Sequence, residues 1–169
     1  MKRDNNQRRI NEIARIVAKI KKPVAEYCKE KYKEYMVFGD CEFMPSPFDI
    51  ADYYGIVYKF VKLEDQIPAY LSEGLGTIYI SDKYTKENYE AKILCAHELG
   101  HYFLHEPEVA AMSNDSLNEY LPIEMLKEYE ANIFLIYLMP QIMAGQPWLN
   151  CSPGILNRKV YEKVTQRGG

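Results

Sequence analysis

Nowhere in the 169 residues is there an apolar run approaching the roughly 18–20 residues that a membrane-spanning helix needs, and the first residues are charged. Those absences set the expectation of a cytoplasmic protein with no membrane association. Close cysteine pairs are missing too. Cys28, Cys41, Cys95 and Cys151 form no C-x-x-C spacing, which argues against a zinc ribbon or a thioredoxin-like motif and leaves reduced, mostly buried thiols as the expectation. Internal repeats and low-complexity tracts are lacking, and histidine is scarce, with three against 15 tyrosines. What remains, 47% hydrophobic and 27% charged residues, is the composition of one globular domain with a single core.

The net charge of −3 is spread unevenly. Residues 1–35 carry 11 Lys or Arg against 5 Asp or Glu, and the remainder carries 10 against 19, so the two parts stand at +6 and −9. A basic arm is what a nucleic-acid or anionic-lipid binder needs. Here, however, the charges alternate with apolar positions, the pattern of a helix's solvated face, and direct nucleic-acid binding is not expected.

Within residues 8–20, Ile10, Ile13, Ile16, Val17 and Ile20 recur at three- and four-residue spacing, one apolar stripe of a helix. Pro23 sits where a first helical turn tolerates it, and Val24, Tyr27, Cys28, Lys31 and Tyr35 continue as a second helix, so the spacing predicts an N-terminal helical pair. Pro45, Ser46 and Pro47 mark a break, after which residues 48–54 read as a short helix closed by Gly55. The period then changes. Residues 56–61, 69–71 and 77–80 are β-branched and aromatic and are separated by turn residues, predicting a small, mostly antiparallel meander. A helix is expected over about 85–105, and another from near Pro122 to just before Pro140. The whole reads as a single α+β domain over 1–169, with a helical extension at 1–44, a core at 45–142 and a tail at 143–169 that includes an amphipathic piece near 155–164.

The chemistry is concentrated in Ala96-His97-Glu98-Leu99-Gly100-His101, an H-E-x-x-H pattern inside a predicted helix. Four helical residues turn through about 400° and rise about 6 Å, so His97 and His101 leave nearly one face, as two ligands of one metal ion require. Glu98 lies about 100° round from His97, where a general base for an activated water belongs. With 3 His and 17 Glu in the chain, composition alone produces this pattern about 0.5% of the time. All three histidines, His97, His101 and His105, also fall on this one helix, whereas unrelated histidines would scatter.

A catalytic metal site needs a third protein ligand. His105 is a poor one, because three successive turns of a straight helix cannot wrap three sides of a tetrahedron, and it is assigned to supporting the site or lining its cleft. The better source is the second long helix. On its wheel Ala131, Leu135, Leu138 and Met139 define an inward stripe; Glu128 falls on it, and Glu130 lies about 160° away. A carboxylate on an apolar face needs a compensating charge, which a metal ion supplies directly and a Lys or Arg supplies otherwise. Asn132, one turn after Glu128, is placed to orient a ligand through its amide.

The strand at 76–80, the segment Ala96-His-Glu-Leu-Gly-His with Leu104-His105, and Glu128-x-Glu-Ala-Asn-x-Phe ending in Leu138-Met139-Pro140 together resemble the ImmA/IrrE-type metallopeptidases, a gluzincin-like family. The resemblance covers roughly residues 47–140. It implies a zincin-like minimal metallopeptidase, with a small sheet on an active-site helix, a second ligand-bearing helix, and Glu128 as third ligand beside His97 and His101. It also implies a protein substrate: members are typically encoded beside helix-turn-helix repressors of mobile elements or stress genes and relieve repression by cleaving them.

The expected activity is therefore peptide-bond hydrolysis with one Zn²⁺ per chain, or another divalent ion, Glu98 acting as base and then returning the proton to the leaving amine. The strand at 77–80 is expected to be the sheet edge on which substrate adds. Tyr102 is a candidate cleft residue, and no tyrosine is assigned to the oxyanion. Residues 106–120 read either as a lid or as an ordinary connector. The rival reading keeps the same residues in a non-proteolytic metal-binding regulator that contacts a transcription factor or DNA.

Overall fold

The computed structural model describes residues 2–31, 45–72, 74–105 and 123–140. Their elements are α1 (Lys2–Lys31), α2 (Pro47–Tyr54), β1 (Tyr58–Val61), β2 (Ala69–Ser72), β3 (Thr77–Ser81), α3 (Tyr89–Leu104) and α4 (Ile123–Leu138). The fold is mixed α+β, four helices and one three-stranded sheet among the described residues. The tail at 143–169, the segment at 106–120, Tyr35, Cys41 and Cys151 lie outside them.

The N-terminal pair is corrected to one helix. Pro23 lies inside α1, where its missing N–H removes a bond to the carbonyl of Lys19 at a cost of about 3 kcal/mol. The helix continues because its buried stripe does. Ile10, Ile13, Val17, Ile20, Val24 and Cys28 are all buried on one face, and each fully buried aliphatic side chain contributes about 1.5–3 kcal/mol. The Tyr54 hydroxyl also donates to the Ile20 carbonyl, tying α1 to α2.

α2 is held at both ends. The Ser46 side chain accepts from Asp49 N and the Asp49 carboxylate accepts from Ser46 N, a capping box. Gly55 then closes the helix at φ 69°, a left-handed conformation that costs glycine nothing.

The sheet order is β1-β3-β2, with β1 parallel and β2 antiparallel to β3. This corrects the predicted meander. The strand from 77 takes the centre because it is the most apolar: Ile78 and Ile80 are fully buried, while β1 and β2 alternate partial burial with exposure. One face of the sheet, carrying Ile78 and Ile80, packs on the helices. The other carries Tyr70 stacked on Tyr79 at 5.0 Å, with Thr77 and Ser81 buried on either side of Tyr79.

The layers run from the sheet through α3 and α4 to α1. α4 is thus covered on both sides, and every side chain from Tyr129 to Ile136 is buried. α3 starts at Tyr89 rather than near Thr85, because the Asn88 side chain is occupied in a turn, accepting from Thr85 N and Thr85 Oγ1 at 2.6 and 3.0 Å. No helix among the described residues is long and apolar enough to cross a membrane.

Candidate metal centre

α3 and α4 meet at glycine. A Cβ on Gly100 would stand 2.9 Å from Ala131 Cα and 3.0 Å from its carbonyl oxygen, so the absence of a side chain is what brings the two helix backbones together. That contact sets His97 and His101 opposite Glu128 and Asn132. His97 Nε2 and His101 Nε2 lie 3.1 Å apart, and each lies 2.9 Å from one oxygen of Glu128. Their ligand atoms form a group within 4.8 Å that is able to share one divalent metal ion. The sequence placed these three residues together, and the fold does so.

A buried imidazole, a part-buried one and a carboxylate share this spot. Burial disfavours charge on His97, but hydrogen bonding to Glu128 and the nearby Glu98 outweigh it and raise the imidazole pKa. Burial likewise opposes ionisation of Glu128, yet the two imidazoles hold its carboxyl well below the usual range. Glu128 is also half-exposed, not core-facing as its place on the apolar stripe implied. It bridges the imidazoles at the open rim of the α3–α4 groove, where a metal ligand needs no apolar cover.

Glu98 is buried beside the pair, and burial pushes its carboxyl up against the pull of His97 and His101 and a hydrogen bond from the Leu71 backbone. That bond locates β2 relative to the site. Ser81 N donates to the Pro68 carbonyl, and hydrogen-bonded pairs alternate along an antiparallel ladder, so with Leu71 opposite Ile78 the Ala69 and Leu71 backbone groups face away from β3. Among the described residues, the sheet edge beside Glu98 is therefore that of β2. This corrects the expectation for residues 77–80, which are paired on both sides.

Behind the ligands, His97 Nδ1 meets Asn132 Oδ1 at 2.8 Å, as the one-turn spacing from Glu128 implied. His105 caps α3 in a buried position, with Nδ1 3.0 Å from His101 Nδ1 and Nε2 3.2 Å from Glu130 Oε2. Glu130 is 1% exposed, a correction to its place on the far side of the wheel. The far side is not solvent but α1, where Arg9 grips both carboxylate oxygens at 3.0 and 2.7 Å. Burial opposes the charge on Glu130, but His105 and Arg9 keep its carboxyl below the ordinary range. His105 is pulled down by burial, against the opposing effect of Glu130.

Arg9 and Glu130 were missed by sequence reasoning. One signal was available: Arg9 falls four residues before Ile13 and eight before Val17, on the apolar stripe of α1, and a buried guanidinium requires a carboxylate. Tyr102 is outside the cluster. Its ring is exposed, packing edge-on to Phe103 and lying 3.6 Å from where a Gly76 Cβ would be. Every buried side-chain nitrogen and oxygen among the described residues has a hydrogen-bond partner. No protein-family model matches the chain, and neither curated proteins nor solved structures yield a significant match.

Proposed function

We propose that this protein is a zinc-dependent endopeptidase in which His97, His101 and Glu128 hold the ion and Glu98 is the general base. The observation that carries the reading is the convergence of two Nε2 atoms and one carboxylate, 2.9–3.1 Å from one another, next to a buried glutamate. Bonds of about 2.0–2.1 Å to a tetrahedral ion space its donors about 3.3–3.4 Å apart, so a few tenths of an ångström of opening admits zinc. Imidazole donors favour zinc and its transition-metal neighbours over magnesium or calcium. Once bound, zinc supplies Lewis acidity, polarising a carbonyl and making water acidic near neutral pH.

Everything else belongs to the chain. Glu98, with its carboxyl pulled toward neutral pH by burial, accepts the proton of the attacking water and returns it to the departing amine nitrogen. The outer edge of β2 offers the N–H and C=O of Ala69 and the C=O of Leu71, and an extended peptide adds there as a further strand. A protein substrate of the helix-turn-helix repressor type follows from the ImmA/IrrE resemblance of the zinc helix and the Glu128-x-Glu130-Ala-Asn-x-Phe134 element.

The test has two arms. Purified wild type should contain about one zinc per chain and Glu128→Ala none; wild type that takes up no zinc ends the peptidase reading. Glu98→Gln should keep the metal and lose cleavage of a candidate repressor. Physical regulation that survives Glu98→Gln would favour the non-proteolytic regulator instead.

A further inference from the structure

His101 and His105 face each other through ring nitrogens, Nδ1 to Nδ1 at 3.0 Å. A single proton fills such a gap, so one ring donates and the other accepts. What decides the direction lies further from the metal position. The other nitrogen of His105 faces a Glu130 oxygen at 3.2 Å, and Arg9 binds both oxygens of that carboxylate. An ionised carboxylate only accepts. A neutral His105 therefore carries its proton on Nε2, its Nδ1 is left as the acceptor, and His101 is obliged to donate from Nδ1. The opposite arrangement sets a bare imidazole nitrogen against a carboxylate where His105 and Glu130 are 7% and 1% exposed, so water does not relieve the clash.

We propose that Arg9, Glu130 and His105 form a positioning relay that fixes the proton of His101 on Nδ1 and so turns its Nε2 lone pair toward the metal position. The proposal rests on the metal-site reading above. His97 reaches the same tautomer by a different device, the Asn132 amide at 2.8 Å. The two ligating rings are thus oriented independently, one from within α4 and one through a chain that ends on α1. None of the three relay residues touches substrate or metal; His105 acts through His101, and Arg9 acts by keeping Glu130 an acceptor.

The test combines wild type, His105→Asn and His105→Leu. Ring protonation is read from two-bond ¹H–¹⁵N correlations of the wild-type histidines above their titration range, with and without zinc, and zinc affinity from competition with a chromophoric chelator. With zinc bound, the relay requires the proton on Nε2 of His105 and on Nδ1 of His101; without zinc, His101 Nε2 also faces Glu128 at 2.9 Å, and the His105 proton on Nε2 is the diagnostic one. His105→Leu should weaken zinc binding about 10–100-fold, and His105→Asn, whose carboxamide oxygen accepts where Nδ1 did, should recover most of that loss. A side chain that merely fills buried volume gives the reverse order, with Leu retaining more affinity than Asn. That order, or a proton found on Nδ1 of His105, overturns the relay. Wild type that binds no zinc overturns the metal reading instead, and the position of the His105 proton still decides the relay.

Discussion

Gly100→Ala separates two effects that usually coincide. In an isolated helix the change stabilises by about 0.8–1 kcal/mol, because glycine is the poorer helix former. In α3 the new methyl stands 2.9 Å from Ala131 Cα, against 3.4 Å for ordinary contact, and the obstructing atoms are backbone that cannot rotate aside. The helices must part by about half an ångström at this point. Overpacking of this kind costs about 1–3 kcal/mol, so the net is a loss of up to about 2 kcal/mol. The same half ångström opens the space between His97 or His101 and Glu128, whose donors are 2.9 Å apart. That opening approaches the roughly 3.3–3.4 Å donor spacing of a tetrahedral zinc, so urea unfolding of the zinc-free protein should show the loss while chelator competition shows zinc affinity retained. A zinc-free variant about 1 kcal/mol more stable than wild type would refute the backbone-contact reasoning.

Glu130→Ala should destabilise the zinc-free protein by about 3 kcal/mol, because it strips the buried Arg9 of its two-oxygen partner and leaves it only the exposed Glu12. Glu128→Ala, at a half-exposed rim position, should cost about 1 kcal/mol or less while abolishing metal uptake; equal losses in urea unfolding would contradict the different placements. The zinc-free melting temperature should pass through a maximum with pH. Glu128 and Glu130 have depressed folded pKa values, so their contribution is complete above the unfolded value of about 4.3 and is lost as pH falls through the folded values. His97 has a raised folded pKa, so its share is complete below about 6.5 and is lost as pH rises through the folded value. A melting temperature that rises or falls steadily across both ranges would contradict this assignment.

The grouping of His97, His101 and Glu128 was legible because its information is local. His97 and His101 are one helical turn apart, Glu128 and Asn132 another, and helical geometry alone fixes which atoms of each pair share a face. The short helix closed by Gly55 and the start of α4 were legible for the same reason, since capping and proline chemistry act within a few residues. Pro23 misled because a local breaker was overridden by burial of Val24 and Cys28 at a distance. Strand order was beyond reach: nothing near residues 77–81 says that β1 will pair with them in parallel across the first hairpin position. Glu130 was read as outward because a wheel shows angles, not neighbours, and α4 has a neighbour on each side.

The pairing of Arg9 with Glu130 joins positions 121 residues apart. During synthesis at about 5–20 residues per second, roughly 6–24 seconds separate the emergence of the two. Only for about the last quarter of that interval does the segment bearing His97 and His101 exist while Glu128, Asn132 and Glu130 have yet to be made. The nascent chain therefore carries the two histidines without the carboxylate that completes the group and without the anchor behind His105. Assembly of the group thus waits on α1 meeting α4, and a chain cut before Glu128 holds the two histidines without their carboxylate.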